Sequence, residues 1–493
     1  MPILITLLYG TAALLGAAFA FVELRMLWRF LRNRAAIRST VRSRERTAAA
    51  GDARVAPSVT IQIPLYNERT AAEQIILAAA AQEYPRDRFD IQVLDDSTDE
   101  TREIVARLVE GVRATGISIE HVQREHRDGY KAGALAEGLK RSRSELLAVF
   151  DADFAPEASF LRRLVLEERA FDDPKIAFVQ TRWSWGVDDR LLPSALGLLL
   201  DRHYFVQKPT RAFVGNVTTF NGSGGIWRRK AIDEAGGWAS DTLTEDLDLS
   251  YRCALAGWSG RYMHDVMVLN ELPGHMRAFK LQQRRWARGN AQCFRKLTGR
   301  VMASRGLLRD RWDEAFMLAG YAIHPLLLAS LLLWPWAVLY VPRVLFWVMQ
   351  GFMSLGMIVA FLSFMITLRE RDRTLSIGSL AQVVTGLCVG MGLMVNNTVG
   401  QIQGFARSGG EFARTPKGLR AVKNRALEAL GSAQPYSSPL HWTFYAELLV
   451  IAYCAASTAF LIQQGEALWS LAMIFWGICL GLMVQQQMAP RLA

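Results

Sequence analysis

Apolar residues along this chain fall into two regimes. Pro2 to Val22 is an uncharged run, long enough to cross a bilayer at about 1.5 Å of rise per residue. From residue 47 to about 310, short apolar runs alternate with segments of helical periodicity. Val59–Pro64, Ile91–Leu94, Leu146–Phe150 and Ile176–Gln180 read as buried strands and the intervening segments as helices. That alternation predicts a parallel α/β sheet covered on both faces, with its ligand at the carboxyl ends of the strands. Beyond residue 310, Ala315–Tyr340, Val344–Leu368, Thr374–Ala406, Leu448–Gly465 and Ala467–Pro490 contain no Asp, Glu, Lys or Arg. Each has the length of a membrane span.

Charge sharpens the topology. Eight arginines between Arg25 and Arg46 face one acid, Glu45, and six basic residues between Arg407 and Arg425 face Glu411. Basic flanks stay on the cytoplasmic side. If Thr374–Ala406 crossed fully, the second basic flank would lie outside. With its Asn396-Asn397 pair, that segment is therefore expected to be interfacial or re-entrant. This gives five spans, with six as the alternative. Arg277–Arg300, basic with interleaved Phe279, Leu281, Trp286 and Phe294, reads as an amphipathic helix at the membrane surface. Ala18-Phe19-Ala20 resembles a signal-peptidase site, but the run before it lacks a basic start, so an uncleaved anchor is expected. The net charge of +11 is read as counter-charge to the cytoplasmic leaflet rather than as a nucleic-acid footprint. Five scattered cysteines without a C-x-x-C pair exclude a disulfide framework and a zinc site.

Three acidic clusters carry the candidate chemistry. Asp95-Asp96 follows one expected strand, Asp151-Ala152-Asp153 follows another, and Thr244-Glu245-Asp246 precedes a helix. Carboxylates gathered at one sheet edge repel unless a cation sits among them. A divalent ion held by one or two carboxylates and a substrate diphosphate meets that need. Tyr66 and Glu68, in Ile63-Pro64-Leu65-Tyr66-Asn67-Glu68, suit a nucleobase and ribose, and Lys131 suits a phosphate. Trp183 and Trp185 line either an acceptor path or a core. His324 reads as a bundle-facing residue.

With Phe220-Asn221-Gly222-Ser223-Gly224-Gly225, Ala235-Gly236-Gly237-Trp238, Thr244-Glu245-Asp246 and Gln282-Gln283-Arg284-Arg285-Trp286 in order, the chain resembles processive family 2 glycosyltransferases. Within them it is similar to the cellulose synthase and cellulose-synthase-like group, particularly mannan and glucomannan synthases and their bacterial relatives. The resemblance implies an α/β GT-A-type nucleotide-sugar-binding domain inserted into an α-helical transmembrane bundle with amphipathic interfacial helices. It divides the chain into an anchor (1–46), a GT-A domain (47–276), interfacial helices (277–310), a transmembrane hairpin (311–373), an interfacial helix with a gating-like loop (374–440) and a second hairpin (441–493).

The resemblance implies that Asp96 and Asp95 contact the nucleoside and that Lys131 touches phosphate. Asp151 and Asp153 would bind the diphosphate through Mg²⁺ or Mn²⁺. Asp246 would be the base with Glu245 beside it, and Gln282, Arg285 and Trp286 would meet the acceptor, Arg285 also facing the leaving diphosphate. Phe412-Ala413-Arg414-Thr415-Pro416-Lys417 is similar to a gating loop, from which Thr415 and Lys417 would reach the donor. The expectation is an inverting, metal-dependent hexosyltransferase in the inner (plasma) membrane, its catalytic domain cytoplasmic. It takes a nucleotide diphospho-sugar, UDP-glucose ahead of GDP-mannose, to elongate a β-glycan, or alternatively to glycosylate a lipid. The partners are the donor, the glycan or lipid acceptor and the bilayer, without nucleic acid.

Overall fold

The computed structural model describes residues 1–41, 55–186, 190–304, 310–372, 374–411 and 440–489. Seven strands form one sheet: β1 (Val59–Leu65), β2 (Phe89–Asp95), β3 (Ile119–Gln123), β4 (Leu146–Val149), β5 (Ile176–Trp185), β6 (Gly225–Arg228) and β7 (Ser259–Asn270), in the order β3-β2-β1-β4-β6-β5-β7. The four expected strands are present. The sheet is mixed rather than parallel, because β6 runs antiparallel to both β4 and β5. β6 follows the Phe220–Gly224 turn, after the helices Leu191–Arg202 and Lys208–Val214 that separate it from β5. Both faces are covered, one by a cluster that includes Ile61, Ile75, Phe150 and Val268, the other by one that includes Leu94, Leu135, Phe220 and Trp227.

From β1 the chain steps to β2 and β3 on one side and then crosses to β4 on the other. The loops after β1 and β4 therefore diverge and open a crevice at the carboxyl edge. All the acidic clusters stand around it.

Among the described residues, five helices are long and apolar enough to cross a membrane: Pro2–Arg32, Gly320–Tyr340, Arg343–Asp372, Thr443–Gln463 and Ala467–Met488. Ile377–Gly392 and Met394–Ala406 pass the same test only together, and they are bent by 44° at their junction. The second of these half-helices lies along the motif helix Met276–Ala303. A Cβ on Gly400 would come within 2.6 Å of the Arg284 carbonyl, and one on Gly404 would overlap the Arg288 carbonyl. These two glycines let the backbones touch.

The basic flank is less free than its sequence suggests. Arg25 meets Asp310 at 3.2 Å, Arg29 meets Asp313 at 2.8 Å, and Arg34 and Arg38 both pair with Glu370. Four of the eight arginines are thus tied to acids elsewhere in the chain, fastening the first two helices to it.

Candidate active site

The loop after β1 turns through Asn67 with φ of 55°. Its amide donates to Ser97 Oγ at 2.8 Å, and its side-chain oxygen accepts from the Thr98 amide at 2.8 Å. A left-handed asparagine is locally strained, and these bonds to the loop after β2 hold it. Asp95, expected at the nucleoside, is sealed inside that brace. Its oxygens accept from the Ser97 amide at 2.9 Å and meet His121 Nε2 at 2.9 Å. Burial pushes its carboxyl up, but the bonds from His121 and Ser97 more than offset this and hold it below the usual range. Asp95 shapes the loop, and it is Asp96 that faces the cavity, with one oxygen accepting from Arg124 Nε at 2.9 Å.

Tyr66 and Glu68 line the same cavity. Arg127 lies 3.3 Å above the centre of the Tyr66 ring and 4.9 Å from that of Tyr130. Sequence reasoning missed Arg124 and Arg127, although both stand in the stretch Arg124-Glu125-His126-Arg127-Asp128 just before Lys131. They set two guanidinium groups beside Asp96 and Tyr66.

Lys131 is the hub. Gly129 and Tyr130 both adopt left-handed backbone, φ 68° and 51°, and turn the chain into the helix Tyr130–Arg141. Lys131 Nζ then reaches Asp151 Oδ1 at 2.6 Å, the Gly222 carbonyl at 2.8 Å and Glu245 at 3.6 Å. Burial pulls this ammonium down, yet Asp151 and Glu245 outweigh it and the net shift is upward. Lys131 therefore stays charged. Gly222, with φ of 81°, passes so close that a Cβ there would sit 3.4 Å from Lys131 Nζ and 3.5 Å from Asp246 Oδ2.

Asp246 opens the helix Glu245–Leu255. Burial, then the adjacent Glu245, push its carboxyl up to about 7 against the pull of Lys131. A carboxyl balanced near neutrality is suited to taking up a proton. Asp151 and Asp153 line the cavity beside it. Two carboxylates are the protein share of a magnesium-type site only when a substrate diphosphate completes the shell, and no cluster of three or more metal-binding side chains occurs among the described residues. The donor set fits a divalent ion that arrives with its nucleotide.

The motif helix closes the opposite wall with Gln282, Arg285 and Trp286. Burial lowers the Arg285 guanidinium, countered by Glu245, Asp151, Asp246 and Asp153, which draws the positive charge toward the acids. Gln282 Oε1 is cut off from solvent and accepts no hydrogen bond among the described residues. Trp183 also lines the cavity, its indole nitrogen donating to the Ser223 carbonyl at 3.0 Å, whereas that of Trp185 donates to Asp201 at 2.9 Å. His203, which no motif announced, faces the cavity between Gln207 and Asn221, and burial holds it near 3 and hence neutral. Thr415 and Lys417 lie outside the described residues.

These groups share a cavity of about 1250 Å³ that continues past the motif helix to Trp334, Gln350 and Trp476 among the apolar helices. Residues 56–289 match the family Glycosyltransferase like family 2. Glucomannan 4-beta-mannosyltransferase 2 of Arabidopsis thaliana is 45% identical over 274 residues, covering 54% of this chain and 50% of the relative. Glucomannan 4-beta-mannosyltransferase 9 of the same plant is 40% identical over 284 residues, covering 56% and 52%. The chain spans about half the length of the curated relatives it matches. A solved structure, the mannosyltransferase PcManGT from Pyrobaculum calidifontis in complex with GDP-Man and Mn2+, is 20% identical at TM-score 0.49, covering 80% of this chain and 99% of that one. The family match thus covers most of the mixed-sheet α/β domain that carries the carboxylates at its edge, and this domain is joined to several long apolar helices.

Proposed function

We propose that this chain is an inverting mannosyltransferase that extends a β-linked glycan from GDP-mannose and passes the product into its helical bundle. The observation that carries the proposal is the single cavity linking Lys131, Asp151 and Asp246 to Trp334 and Trp476. The glucomannan mannosyltransferase relatives move the donor preference from UDP-glucose to GDP-mannose.

In this mechanism Tyr66, Glu68 and Asp96 hold the nucleoside, with Arg127 stacked on Tyr66. Lys131 and Arg285 face the diphosphate, where negative charge grows as the sugar departs. A divalent ion, Mg²⁺ or Mn²⁺, would be held by Asp151 and Asp153 with the diphosphate and would neutralise part of that charge. Asp246, ionised, accepts the proton of the attacking hydroxyl from the face opposite the leaving group, so the product is inverted. Glu245 keeps that carboxyl basic. Trp286 stacks on the acceptor ring, and Gln282 Oε1 accepts from one of its hydroxyls. Glu411, one residue before the loop that contains Thr415 and Lys417, is among the acids that favour the charged form of Arg127. The α/β domain faces the cytoplasm of a plasma membrane crossed by the five long apolar helices.

Membranes containing the chain, supplied separately with radiolabelled GDP-mannose, UDP-glucose and UDP-N-acetylglucosamine, test this. Ethanol-insoluble label is expected from GDP-mannose and its loss in EDTA. Label confined to the organic phase would replace the polymer with a glycolipid product, and incorporation from UDP-glucose alone would reject the donor.

A further inference from the structure

A second cavity, of about 480 Å³, opens where two of the long apolar helices reach the α/β domain. Phe30 belongs to the end of Pro2–Arg32, Arg34 and Arg38 to the short helix Arg34–Val41 that follows, and Arg369 and Glu370 to the end of Arg343–Asp372. Phe205 and His264 close it from the α/β domain, ring centres 5.0 Å apart. The apolar liners Phe30, Ile37 and Val41 are at most 3% exposed, so they offer it almost no surface. The arginines supply that surface instead. The side chains of Arg34 and Arg38 are 32% and 42% exposed, and Arg369 is exposed as well.

Charge here is out of balance. Arg34 and Arg38 stand four residues apart on one helix face, where like charges repel. Both turn to the largely buried carboxylate of Glu370, Arg34 through Nε and Arg38 through Nε at 3.1 Å and Nη2 at 2.5 Å. Glu370 cancels one of the two charges. Arg369 lines the same cavity and adds another, with no ion pair among the described residues. Three guanidinium groups against one carboxylate leave N–H donors unused and an excess of positive charge. Forks of such donors match the oxygens of a phosphate.

We infer that this cavity binds a phosphate-bearing anion, the headgroup of an acidic phospholipid, through Arg34, Arg38 and Arg369. Its place at the ends of two apolar helices selects the lipid over a soluble phosphate, because spans of that kind end at headgroup depth. The inference rests on those helices crossing a membrane and is independent of the sugar donor and the product. Glu370 then has two effects: it gathers the arginines and competes with the phosphate for them.

The test uses the full chain, stripped of lipid in a neutral detergent and titrated with phosphatidylglycerol, phosphatidylcholine or inorganic phosphate, with bound molecules counted by native mass spectrometry. Phosphatidylglycerol should bind at least about fivefold more tightly than phosphatidylcholine, and less tightly as salt rises. Arg369→Gln should weaken that binding about fivefold and leave the melting temperature of the lipid-free protein unchanged. Glu370→Gln separates an anion site from a purely structural brace. With the competing carboxylate gone, phosphatidylglycerol should bind about fivefold more tightly, although the lipid-free protein melts at a lower temperature. Wild-type affinity in Arg369→Gln, or weaker binding in Glu370→Gln, overturns the inference alone. Inorganic phosphate bound as tightly as the lipid, and lost in Arg369→Gln, overturns the lipid and assigns the cavity to a soluble phosphate. A chain that stays soluble once detergent is withdrawn overturns the membrane placement and this inference with it.

Discussion

The two ends of the cavity are built from opposite materials. Around the sheet edge, Lys131, Asp151, Asp153, Glu245, Asp246 and Arg285 crowd into one volume. Apart from Glu23 and Arg29 of the helix Pro2–Arg32, the lining among the apolar helices is uncharged, with Trp334, Trp476, Met353 and Phe352 beside Gln350 and Ser330. Charge is useful where charge changes during reaction, and there it must be balanced group by group. Further along, a fixed charge would hold a neutral sugar chain too tightly or cost too much to bury. In the proposed mechanism, the contrast separates the place where bonds would change from the place where a product would move.

The largest effect should come from removing the base at the charged end. Asp246→Asn is expected to cut transfer on the order of 10³-fold, with KM for the donor changed less than threefold, measured as GDP release. Turnover within tenfold of wild type would remove Asp246 from the base role.

A second prediction concerns the joint between the ends. Lys280, on the motif helix, is buried against Glu447 at 2.6 Å, and Gln487 completes the cluster by accepting from Lys280 at 2.9 Å and donating to Glu447 at 3.0 Å. Lys280→Met strands a buried carboxylate and should destabilise the protein by about 3 kcal/mol or more, whereas Lys280→Met/Glu447→Met should regain most of the loss. Thermal unfolding in detergent reads both.

The smallest effect is the pH slope. With Asp246 near 7 in the donor-free protein, kcat/KM should fall about tenfold per pH unit below 7 and level off above it. Stability should run the other way. The folded carboxyl holds its proton more tightly than the unfolded chain, whose value is about 3.9. The Asp246 contribution is therefore full below about pH 4 and is lost as pH rises through 7. Asp246→Asn should flatten that slope in denaturant unfolding, and an unchanged slope would place the shift elsewhere.

The strands with unbroken apolar runs were legible from sequence because both their faces are buried. β3 was not, since its Ile119-Glu120-His121-Val122-Gln123 pattern is that of a half-exposed edge, and β6 is only four residues long. The acidic motifs mark their own positions in the chain. What sequence cannot announce is which neighbour takes up each carboxylate: Asp95 and Asp96 are adjacent, yet His121 and Ser97 claim the first while the second faces the cavity. The same holds for the basic flank, which looked like a lipid contact until Asp313 and Glu370 were brought to it from 284 and 332 residues away.

Those ion pairs also order events during synthesis. The helix Pro2–Arg32 leaves the ribosome well before the helices Ile323–Tyr340 and Arg343–Asp372 against which it packs, and the whole α/β domain is translated in the interval. Arg25 and Arg29 must wait for Asp310 and Asp313. The cavity wall to which the first helix contributes is thus completed only after the α/β domain has been translated.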